Sequence, residues 1–86
     1  MRITEEALMQ AIAYTENAKI GLEQNLQYMK NTTSSMLSEW NDAHVDRYME
    51  QLDLFDSYVK NTAGNMDSIC ESLRAYLNMV RQYNQF

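Results

Sequence analysis

The chain has 86 residues, which bounds it to a single domain. At 45% hydrophobic and 22% charged it is too apolar for a disordered tail, and with no proline and two glycines it lacks the turn residues that a β or α/β fold consumes. A formal net charge of −5 argues against nucleic-acid backbones and anionic membrane surfaces as partners, and one cysteine cannot close an intrachain disulfide.

The chain opens Met1-Arg2-Ile3-Thr4-Glu5-Glu6, with no apolar run of signal-peptide length. No later run is long enough to span a bilayer, so no membrane insertion is expected. A first helix is expected over about residues 4–39, started by Thr4 with Glu5 and Glu6 favourable to its dipole. Steps of three and four mark its inner stripe at Leu8, Ile12, Thr15, Lys19, Leu22, Leu26, Met29, Thr33, Met36 and Trp40. Asn31-Thr32-Thr33-Ser34-Ser35 are poor helix formers, yet Met36, Leu37 and Trp40 continue the same face beyond them. The turn is therefore expected at about residues 40–44, where Asn41 and Asp42 tolerate left-handed backbone and cap helices.

A second helix is expected over about residues 45–84. Its seam reads Val45, Tyr48, Leu52, Phe55, Val59, Thr62, Met66, Ile69, Leu73, Tyr76, Val80 and Tyr83, a heptad pattern broken only by Thr62. Asp46, Glu50, Asp53, Lys60, Asp67, Glu71, Arg74 and Arg81 fall on the slots of a solvated back. The fold class that follows is all-α: an antiparallel hairpin of two long helices forming one domain over 1–86. Met9, Met49, Tyr58, Leu77, Met79 and Phe86 sit off the seam, too much apolar surface for a solvated monomer. Dimerisation into a four-helix bundle covers it, and Met9, Met49, Tyr58, Leu77 and Met79 become the candidate partner surface.

The residues offer no chemistry of their own. There is no nucleophile elbow, no glycine-rich phosphate loop and no cysteine pair for zinc, so catalytic residues, cofactors and metals are all expected to be absent. His44 is the single histidine and lacks a carboxylate three residues before it, which excludes a ferritin-type centre. Cys70 reads as a small core-flanking residue, and the acids Glu39, Asp42, Asp46, Glu50, Asp53 and Asp56 as a solvated acidic face.

A helical hairpin under 100 residues with a single Trp at its bend resembles the WXG100, or ESAT-6-like, family of type VII secretion. The resemblance rests on Leu37-Ser38-Glu39-Trp40-Asn41-Asp42 at the middle, on Leu22, Leu26 and Met29 before it, and on Phe55, Tyr58 and Leu73-Arg74-Ala75-Tyr76-Leu77 after it. Trp40-Asn41-Asp42 stands in place of the family's Trp-x-Gly. The resemblance implies a secreted substrate or co-secreted partner, held in the cytoplasm before export and exported without a cleavable signal. Its partner is a second copy, another hairpin of the family, or the helical N-terminal region of a larger secreted toxin. It also implies that Trp40 is the bend residue, packing at the end of the bundle or offered to the secretion machinery.

The family's Tyr-x-x-x-Asp/Glu tail signal is missing here: Val80 follows Tyr76 at the fourth place, and only three residues follow Tyr83. A partner bearing the signal is therefore expected to carry this chain out, and the polar seam residues Thr15, Lys19 and Thr33 are expected to help choose that partner. A non-secreted adaptor or chaperone-like bundle is the competing reading, and a helical-hairpin filament subunit the third.

Overall fold

The computed structural model describes residues 4–39 and 42–84. Trp40 and Asn41 of the bend motif lie outside the described residues, as does Phe86. Two helices, α1 (Glu5–Glu39) and α2 (Ala43–Asn84), pack antiparallel into a rod of 67 × 17 × 16 Å.

Each helix has a side-chain cap. The Thr4 hydroxyl oxygen accepts from the Ala7 amide at 3.1 Å, with Glu5 and Glu6 in the first turn. The Asp42 carboxylate accepts from the amides of His44 (2.8 Å) and Val45 (3.1 Å). Asp42 thus acts as an N-cap, and no non-glycine residue among those described has positive φ. The 31–35 stretch is helical, and its hydroxyls bond back to its own backbone. Thr32, Thr33, Ser34 and Ser35 donate to the carbonyls of Tyr28, Met29, Lys30 and Asn31, one turn back. Thr33 is thereby satisfied at 1% exposure.

The interior has two clusters. Near the open end Leu8 and Ile12 meet Cys70 and Leu77, flanked by Leu73 and Val80. Mid-rod Leu26 meets Leu52 and Val59, flanked by Leu22 and Phe55. Cys70 is buried, as its reading as a small core residue requires.

The seam of α2 departs from the heptad. Val45, Leu52 and Val59 are buried at seven-residue steps, but the next buried residue is Ala63, four later, followed by Cys70 and Leu77. Ile69 and Tyr76, expected on the seam, are 51% and 43% exposed, and Tyr83 is more exposed still. Leu77, expected on the partner surface, is 6% exposed inside the hairpin. The cause is helix geometry. A straight helix drifts about 20° per heptad against a 3.5-residue repeat, so over the two heptads from Val45 to Val59 the contact line turns by about 40°, the angle between residues four apart, and Ala63 takes over from there.

The same rotation corrects the solvated back. Asp67, Arg74 and Arg81 now flank the contact and reach α1. Lys19 pairs with Asp67 at 2.8 Å, Glu16 with Arg74, and Glu5 with Arg81 at 3.5 Å. Lys30 pairs with Asp56 at 2.7 Å, and Lys60 reaches the other oxygen of Asp56 at 3.0 Å from one turn on. These pairs fix which turn of α1 lies against which turn of α2.

Leu52→Ala should cost about 2–5 kcal/mol by leaving a cavity in the middle cluster. Asp53→Ala, on the exposed side next door, should cost under about 0.5 kcal/mol. Gly64→Ala should stabilise by about 0.5–1 kcal/mol, since an added Cβ there meets nothing within 4 Å. Urea unfolding followed by circular dichroism measures all three. Equal losses at Leu52 and Asp53 would place the seam elsewhere.

Acid should weaken the rod through Asp56. Hydrogen bonds from Lys30, then from Lys60, hold its carboxyl below the ordinary 3.8. A depressed carboxyl stabilises the fold above its unfolded value, and that contribution fades as pH falls through the lower folded value. Asp56→Asn should therefore melt lower than wild type near neutrality, with the gap closing in strong acid. Lys19 behaves oppositely. Its hydrogen bond to Asp67 raises its pKa, so its contribution is full below 10.5 and is lost as pH rises through the folded value. Thermal melts across pH check both limbs.

Candidate partner-binding flank

Every cross-helix ion pair described lies on one long edge of the rod. With Ile12 and Val45 each set at heptad position a, these pairs join positions a and e of α1 to b and e of α2. Met9 belongs to this edge too, its sulfur accepting from Arg81 at 3.7 Å. Exposed Ile20 and Leu37 lie on the same side of α1.

The opposite edge is built from positions c, d and g of both helices, and it is almost free of charge. On α1 nothing ionised occurs there from Ala7 to Met36, and on α2 nothing from Tyr48 to Tyr83. Glu39 and Arg47, close to the bend, are the exceptions. All six tyrosines of the chain fall on this flank, at Tyr14, Tyr28, Tyr48, Tyr58, Tyr76 and Tyr83, and all are exposed. Tyr58, 63% exposed, stacks with half-buried Phe55 at a ring-centroid distance of 6.3 Å. Leu54, Ile69 and Met79 add exposed aliphatic surface. A shallow groove lined by Ser68, Ile69, Ser72 and Leu73 opens here, because two small serines flank the larger pair.

Tyrosine is suited to such a surface. It offers a large contact area at low conformational cost and keeps a hydroxyl for water or a partner. An uncharged flank this long leaves no buried charge to be compensated when covered. No cluster of three metal-ligating side chains occurs among the described residues.

Of the expected partner surface, Tyr58 and Met79 lie on the uncharged flank and are exposed. Met9 is exposed on the ion-paired edge, Met49 is half-buried, and Leu77 is interior. Of the expected seam, Leu26, Leu52 and Val59 are buried. Leu22, Phe55, Met66, Leu73 and Val80 are half-buried, whereas Met29, Ile69 and Tyr76 face the uncharged side. Tyr14, Tyr28 and Leu54, exposed on the same flank, are not among the off-seam apolar residues expected to form that surface. Sorting charges by heptad position would have found them.

The polar seam residues are satisfied within the hairpin. Thr15 donates to the Ala11 carbonyl at 2.8 Å, Thr33 to that of Met29, and Lys19 is paired with Asp67. Each of the three thus has a polar partner inside the hairpin itself.

No helix among the described residues is long and apolar enough to cross a membrane. No curated protein and no solved structure matches the chain significantly. The model of a family described as WXG100, proteins of 100 residues with WXG, matches residues 1–85. The family's glycine position is taken by Asp42, whose carboxylate caps α2. The chain thus belongs to the WXG100 family, small helical proteins associated with type VII secretion.

Proposed function

We propose that this chain is a small non-enzymatic substrate, or co-secreted partner, of a type VII secretion system, and that it acts by helix–helix dimerisation. The observation that carries this reading is the uncharged tyrosine flank. An exposed apolar face running the length of a 67 Å rod calls for a partner of similar length. Family membership supports the type VII route, and in this reading the chain is exported without a cleavable signal peptide.

The bend motif Trp40-Asn41-Asp42 has a separate role in this reading. Asp42 starts α2, and Trp40 is offered to the secretion machinery.

Inactivating the type VII system of the native bacterium should abolish the protein from the medium and leave it in the cells. Undiminished protein in the medium would remove the secretion role, and retention in both strains would favour a cytoplasmic adaptor. Trp40→Phe should keep its helicity and its partner yet leave the cell poorly. Normal export of that variant would reduce Trp40 to a packing residue.

A further inference from the structure

We propose that the bend end of the rod is a separate opening unit: residues 31–39 of α1 and 43–51 of α2 part from each other while the rest of the hairpin stays paired, and the cluster of Lys30, Asp56 and Lys60 marks the boundary. The rod is then a stable shaft carrying a tip that opens and re-forms on its own.

Three observations lead there. The first is where the helices hold each other. Both buried clusters lie on the shaft side, between Leu8 and Leu26 on α1 and between Leu52 and Leu77 on α2. So do all the cross-helix ion pairs described, and the hydrogen bonds from Cys70 to the Ile12 carbonyl and from Asn84 to Glu5. Among the described residues of the tip only Thr33 and Val45 are buried, and neither belongs to a cluster. Thr33 donates its hydroxyl to its own helix, at the Met29 carbonyl. Few buried apolar contacts make for low local stability.

The second observation is propensity. Past Lys30, α1 has to propagate through Asn31-Thr32-Thr33-Ser34-Ser35, each a poor helix former. Hydroxyls that bond one turn back slightly destabilise a helix, and four do so in a row here.

The third is charge. From residue 31 to residue 51 the chain carries Glu39, Asp42, Asp46 and Glu50 against Arg47. Glu39 stands in the last turn of α1, which has no basic residue, and the negative end of the helix dipole disfavours it there. Asp42, Asp46 and Glu50 follow one another at four-residue steps and repel. The dipole of α2 offsets part of this for Asp46, in its first turn, but not for Glu50.

At the boundary the balance reverses. Asp56 holds Lys30 at 2.7 Å across the helices and Lys60 at 3.0 Å along α2. With its side chain 17% exposed, it is the least exposed carboxylate among the ion pairs described. Phe55, its neighbour in sequence, packs on the cluster of Leu26, Leu52 and Val59. Opening that starts at the bend meets its first strong obstacle at this point.

Native-state hydrogen exchange on the full chain, read by NMR at low urea, tests the division. Amides of residues 35–39 and 47–51 should be roughly 100-fold or more less protected than those of 12–28 and 59–77, and their protection should scarcely change with urea. Shaft amides should lose protection steeply with urea, because their exchange needs much more surface to open. Ile12→Val, in the cluster near the open end, should speed exchange in the shaft roughly 2- to 10-fold and leave that of the tip unchanged. One common protection and urea dependence, or equal speeding of tip and shaft by Ile12→Val, would mean that the hairpin opens only as a whole, and would overturn the proposal. Asp56→Asn should weaken protection at residues 27–30 and 53–56 more than at 70–77. An equal change along the whole shaft would overturn the assignment of the boundary to the Lys30, Asp56 and Lys60 cluster.

Discussion

Two helices laid side by side can cover only one stripe of each other. In this chain the charges decide which of the remaining sides faces water. Glu5, Glu16, Lys19 and Lys30 of α1 gather against Asp56, Asp67, Arg74 and Arg81 of α2 along one edge. Water suits that edge, and the exposed pairs add little stability individually. What they supply is register, because each joins one turn of α1 to one turn of α2. The other edge is left with tyrosines, aliphatics and small polar residues. That surface is soluble enough to exist and apolar enough to be worth covering.

The drift of the seam matters for the same reason. Had α2 kept a strict heptad, Ile69 and Tyr76 would be interior and Cys70 and Leu77 would face out. The straight-helix period exchanges them. Leu77 closes the core near the open end against Leu8 and Ile12, while Ile69 moves outward to line the groove on the uncharged flank. Asp67, Arg74 and Arg81 swing into pairing distance of α1 in the same rotation. One geometric effect thus builds the core, the ion-paired edge and the groove together.

The two-helix architecture was legible in the sequence because almost nothing in it breaks a helix, and because Thr4 and Asp42 are readable caps. The inner stripe of α1 was legible for a similar reason, with Leu8, Ile12, Leu26 and Thr33 all buried at their expected steps. The second half of α2 was not, because Ile69 and Cys70, or Tyr76 and Leu77, are neighbours of comparable hydrophobicity. Only the accumulated rotation of the helix chooses between them. The binding flank was half legible. Tyr58 and Met79 are conspicuous off-seam residues, but the stronger signal was where charge is missing, and hydrophobic periodicity does not register an absence. The resemblance to the WXG100 family was legible at the bend despite the missing glycine, and the Asp42 cap shows how a carboxylate can start the second helix at that position.

Hydroxyl-radical footprinting of the assembled protein bears most directly on the central claim, that the uncharged flank is the one covered by a partner. Side chains on both edges are reactive and can be compared within one sample against the dilute chain. On assembly Tyr58, Tyr76 and Met79 should become several-fold less reactive, while Met9 and Leu37 on the ion-paired edge keep their reactivity. Protection of Met9 and Leu37 with Tyr58 and Met79 left open would show that the charged edge is the buried one, and would contradict the assignment of the partner surface made from the charge distribution.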